Sequence, residues 1–122
     1  MGSEAFDAIK HGAPIDRIRA GAPQVTELVI HEATAPDNHP LVDDKHDNYA
    51  IAEPNMGKTV GHIAVVGDPE STTQPEIQIT GHPTLSHVNE TVCAQILPTI
   101  LEHSGFSGVN PPDDISIERP EL

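Results

Sequence analysis

The chain has 122 residues, enough for one domain with a real core and too few for two. Nineteen acids against six bases give a formal charge of −13, a surface that repels phosphate backbones and anionic lipid and so speaks against nucleic acid as a partner. Cys93 is the one cysteine, which excludes an internal disulfide and any Cys-based zinc cluster, and no apolar run approaches the ~20 residues of a membrane span.

There is no Trp, and the aromatics are Phe6, Tyr49 and Phe106, so the core is expected to be aliphatic and its stability to lean on good packing or on an oligomeric contact. Residues 1–31 are nearly balanced in charge, whereas residues 32–76 carry nine acids and two bases. Such an excess reads as a solubility device, as in a protein adapted to high salt, or as a means of gathering cations. The first residues carry no basic start and no apolar stretch, so no signal peptide is expected and the cytoplasm is the default location.

Residues 3–11 read as a short helix, with Ser3 as N-cap and Phe6 and Ile9 at helical spacing. Gly12-Ala13-Pro14 ends it, and Ile15 to Ala20 adds one more turn. Val25 to Ile30 is a β-rich run and reads as a strand ending at His31-Glu32. Residues 33–48 form a long acidic loop that contains His39 and His46, and loops of that length are usually functional or disordered. Tyr49 to Ala52 reads as a short strand and Val60 to Val66 as a clearer one. Glu76 to Thr80 alternates Ile77 and Ile79 with polar neighbours, which suits a half-buried strand.

The best helix covers residues 85–103, where Leu85, Val88, Val92, Ile96 and Ile100 form an apolar stripe. Pro98 removes the bond to the carbonyl of Ala94, so a kink or a break is expected there, and Gly105 is a natural stop. Ile115 to Ile117 returns as a last strand, so that strand, helix and strand over 76–118 resemble a βαβ unit. The expected fold is a single α/β or α+β domain over 1–122. It has one small sheet of four or five strands, one long helix and one or two short ones.

Eight histidines are many for this length. His31, His39 and His46 gather around the acidic loop with Asp37, Asp43, Asp44 and Asp47, and imidazole with carboxylate is the donor set of zinc, manganese or iron. The spacing matches no His-Glu-x-x-His or calcium-loop pattern, and a solvated loop with ordinary surface histidines is the plainer reading. Gly81-His82-Pro83, with His87, Asn89 and Glu90, lies where a strand passes into a helix, a place where ligands collect in α/β folds and where the helix dipole keeps an imidazole neutral. The plainer reading there is a capped turn. Ala52 to Thr59 fits a relaxed phosphate-loop pattern, but a strand rather than a helix follows Lys58-Thr59. Cys93 reads as a buried structural thiol.

Leu28-Val29-Ile30-His31-Glu32-Ala33-Thr34 resembles the strand ending in His-Glu-Ala-Thr in the second half of metallo-β-lactamase-fold hydrolases, and Gly81-His82-Pro83 is similar to a later strand end of that family. The resemblance implies that His82 is a metal ligand and that His31-Glu32 flanks the site. The family's principal His-x-His-x-Asp-His motif is not in the chain.

Two functions follow as expectations. One is a small binding or subunit module without self-contained catalysis, working as a homo-oligomer or with a protein partner. The other is a divalent-metal-dependent hydrolase in which His31, His39, His46 and His82 hold the cation and Glu32 is general base on the bound water. No complete catalytic constellation can be assembled from the sequence, which favours the module.

Overall fold

The computed structural model describes residues 8–20, 26–36, 38–39, 41–42, 47–53, 58–71, 74–82, 90–111 and 115–119. Strands β1 (Lys10–Ala20), β2 (Thr26–Thr34), β3 (Asp47–Glu53), β4 (Lys58–Val66) and β5 (Glu76–Gly81) follow one another as an antiparallel meander. Helix α1 (Glu90–His103) then leads to β6 (Ile117–Glu118), which pairs with β5 in parallel. The result is one six-stranded mixed sheet in the order β1 to β6, with a single helix among the described residues.

This overturns the expected α/β or α+β sheet of four or five strands with one long and one or two short helices. The difference lies in β1. Lys10 and His11 belong to a strand, not to the end of a helix, and Ile15 to Ala20 continue it. Pro14 is the reason the sequence misled. A proline that breaks a helix is tolerated on an edge strand at a bulge, and β1 is an edge strand whose register shifts on either side of Pro14.

One face of the sheet carries Leu28, Ile30, Tyr49, Ile51, Ile63 and Ile79. Helix α1 packs Val92, Cys93, Ile96, Leu97, Ile100 and Leu101 into the same core. Six such side chains contribute on the order of 10 kcal/mol of gross burial before any entropy is charged against them. The helix runs through Pro98 without a break; Pro98 is on its exposed side, where a missing N–H disturbs no packing. It stops at Gly105, as the sequence predicts. Phe106 N–H donates to the Leu101 carbonyl (2.8 Å) and Gly105 N–H to that of Glu102 (3.1 Å), with Gly105 at φ 93°, the signature of a Schellman cap. The cap drives Phe106 into the core, where it is 3 % exposed.

The other face is floored by small residues, and Ile9, Leu41 and Val42 cover Ala33 and Ala50 on it. A bulge decides what else points there. Ile51 pairs with Gly61 but Ala52 pairs with Thr59, which leaves Val60 as an extra residue turned into the helix-side core. Thr59 and His62, three positions apart, therefore share the second face.

Candidate functional site

Cross-strand partners share a face, and the register builds one continuous row on the second face. His31 pairs with Ala50, Ala50 with His62, His62 with Thr80, and Thr80 with Glu118. Ala50 is small, so the two histidines of the row are separated by a methyl group.

At the β1 end, the rings of His11 and His31 stack with centroids 4.9 Å apart. The sheet curls enough for His11 Nε2 to reach Thr59 Oγ1 on β4, at 2.6 Å, past two intervening strands. Burial, then the neighbouring His31, hold the His11 pKa below its ordinary value. His31 Nδ1 donates to the Gly12 carbonyl at 3.2 Å, since a carbonyl oxygen only accepts.

In the middle of the row, His62 is 2 % exposed. Its Nε2 donates to Asn48 Oδ1 at 3.1 Å. Burial, reinforced by His39, pushes its pKa down to about 4, so the ring is a neutral imidazole at neutral pH. With the proton on Nε2, the Nδ1 lone pair is the acceptor that remains. His62 lines a half-open groove of ≈ 380 Å³ whose floor and rim also include Ala64, Gln78, Thr80 and Glu118, with Leu41 as an apolar wall.

His39 sits outside this groove, and its Nδ1 accepts the backbone N–H groups of Leu41 (3.1 Å) and Val42 (3.2 Å). That bond fixes the turn carrying Leu41 and Val42 onto the second face.

Among the described residues, the ligands singled out from sequence sit on separate elements: His31 on β2, His39 in the turn before Leu41, and His82 just after β5. His31 lies on β2 and His82 follows the end of β5, with β3 and β4 between those strands in the sheet. The backbone of His82 is tied at both ends: its N–H donates to Val60 O (2.9 Å) and its carbonyl accepts Arg119 Nη1 (3.0 Å). His46 lies outside the described residues, as do His87, Asn89 and residues 54–57. Glu32 neighbours His31 in sequence and so points to the opposite face, where its Oε1 accepts from His103 Nε2 at 2.9 Å. There it meets a partly exposed cation-capable ring at the C-terminus of α1, the end where the dipole favours positive charge. Among the described residues no three His, Cys, Asp or Glu side chains come within reach of one metal ion.

Beside that contact, Tyr49 and Ser104 share a hydrogen bond of 2.5 Å and the Tyr49 ring lies edge-on to His103. Burial raises the Tyr49 pKa against the lowering effect of Ser104. Ser104 is thus bonded to Tyr49, and His103 to Glu32, so the serine and histidine are not linked as nucleophile and base. Cys93 is fully buried and burial pushes its thiol up to about 11, which suits the structural role expected of it.

No family model, curated protein or solved structure matches the chain. Among the described residues no helix is long and apolar enough to cross a membrane.

Proposed function

We propose that the chain is a small acidic binding or subunit module without self-contained catalysis, and that its second sheet face is the recognition side. The observation that carries this reading is how the ring nitrogens of the histidines are used. His11, His31, His39, His62 and His103 each hold a neighbouring strand, turn or helix end in place through a specific hydrogen bond. Each of these rings has one nitrogen committed to the fold in this way. The groove beside His62 is within the size range of small-molecule sites and is where polar groups converge on a partly apolar floor. The formal charge of −13 further supports partners other than nucleic acid.

The test is a pair of melting curves, one after treatment with chelator and one with a stoichiometric excess of zinc, manganese or ferrous ion. The module reading expects coincident curves. A metal-dependent rise of the melting temperature by several degrees, accompanied by ester or phosphoester hydrolysis, would favour the hydrolase instead.

A further inference from the structure

We propose that the groove on β4, β5 and β6 is a binding site for a small organic ammonium ion, received by the acceptors of His62, Thr80 and Glu118. The proposal rests on the binding-module reading above and adds to it the chemical class of the ligand.

The register places three acceptors side by side. His62 pairs with Thr80 and Thr80 with Glu118, on adjacent strands and on one face, so their side chains are spaced by about 5 Å steps. Each has acceptor capacity to spare. The His62 proton is committed to Asn48 Oδ1, which leaves an unprotonated Nδ1 on a ring that is 2 % exposed yet lines the groove. Thr80, 8 % exposed, offers its hydroxyl at the centre, and the exposed Glu118 offers a formal negative charge at the rim.

The chemistry of that lining selects against the alternatives. Among the described residues no Lys or Arg lines the groove, and Arg119, next along the chain, points its guanidinium at the His82 carbonyl. A carboxylate or phosphate would meet Glu118 and a neutral imidazole, inside a field set by thirteen net negative charges. An ammonium group has three N–H donors and a charge opposite to that of Glu118, which matches three acceptors in a row. Leu41 and Ala64 provide the apolar surface for a short alkyl chain attached to it.

The probes are n-butylammonium chloride, 1-butanol and sodium butyrate, which share a shape and differ in charge and donors. Each is titrated into the full chain at constant ionic strength while backbone amide shifts are followed by NMR. The proposal expects saturable shifts confined to amides of residues 62–64, 78–80 and 116–118 with butylammonium. It expects binding weaker by about tenfold or more with butanol, and none with butyrate. Glu118→Gln, an exposed substitution that leaves the core intact, weakens butylammonium by about tenfold, and the isosteric Thr80→Val weakens it to a similar degree. Shifts that spread over the acidic surface without saturating, equal binding of butyrate, or full affinity in both variants would overturn the assignment. Metal-dependent melting would instead sink the module reading while leaving these titrations unchanged, so the two failures are distinguishable.

Discussion

Lowering the pH should unfold this protein partly through one ring, that of His62. The ring is 2 % exposed and bonded as a donor to Asn48, and its pKa falls from 6.5 to about 4 on folding. The unfolded chain therefore takes up a proton at this residue that the folded chain refuses. Above pH 6.5 both states are neutral there and the contribution to stability is complete. Between 6.5 and 4 the unfolded state binds more protons, and stability is lost at about 1.4 kcal/mol per pH unit, or about 3 kcal/mol over the window. His11, whose pKa is also lowered by burial, adds terms of the same sign. The His62→Gln variant removes these common terms, because Gln does not titrate and can still donate to Asn48. Urea unfolding of both proteins at pH 7.5, 6, 5 and 4.5 gives the quantity needed. The variant is expected to be less stable at pH 7.5, and the gap to close by about 2–3 kcal/mol by pH 4.5. Parallel pH dependences for the two proteins would refute a neutral, desolvated His62.

Four further outcomes follow from the packing and charge. Leu97→Ala empties a fully buried position between α1 and the sheet and should cost about 2–5 kcal/mol in urea unfolding; under 1 kcal/mol would mean that the helix is not docked as described. Gly105→Ala puts a side chain at φ 93° with its Cβ 3.2 Å from Pro69, and a loss of about 1–2 kcal/mol is expected, against none if the Schellman cap does not form. Pro98→Ala restores a backbone donor on the exposed side of α1 and should stabilise by about 1–3 kcal/mol, whereas destabilisation would reveal a packing role for the proline ring. Raising salt from low to molar concentration should raise the melting temperature, because it screens a net charge of −13, and a flat response would count against a self-repelling surface.

Much of the fold was legible because strands and helix announce themselves by period. The Val60–Val66 run, the Ile77/Ile79 alternation and the stripe from Val92 to Ile100 all became the elements they suggested. The βαβ step from β5 to β6 followed from their order alone. What misled was Gly12-Ala13-Pro14, whose helix-breaking residues are equally at home at an edge-strand bulge, a distinction that depends on tertiary pairing. The site was harder for the same reason. His31 and Glu32 are adjacent in sequence and on opposite faces of β2, so a cluster drawn along the chain joins residues the sheet separates. His62 was passed over because it lies inside an apolar strand. That polar residue among Val60, Ile63 and Val65 was itself the usable signal, since a buried histidine requires a partner. Its partner Asn48 and its neighbours Thr80 and Glu118 are set by register across three strands, which no local pattern encodes.

The central claim, that the histidines hold the fold rather than a metal, is tested most directly by long-range proton–nitrogen NMR of the imidazole rings before and after addition of zinc. The account predicts a protonated Nδ1 on His31, a protonated Nε2 on His39 and His62, and ring nitrogen shifts that zinc leaves unmoved. Stoichiometric movement of the His31, His39 and His82 ring nitrogens toward metal-bound values would contradict it and return the chain to the hydrolase reading.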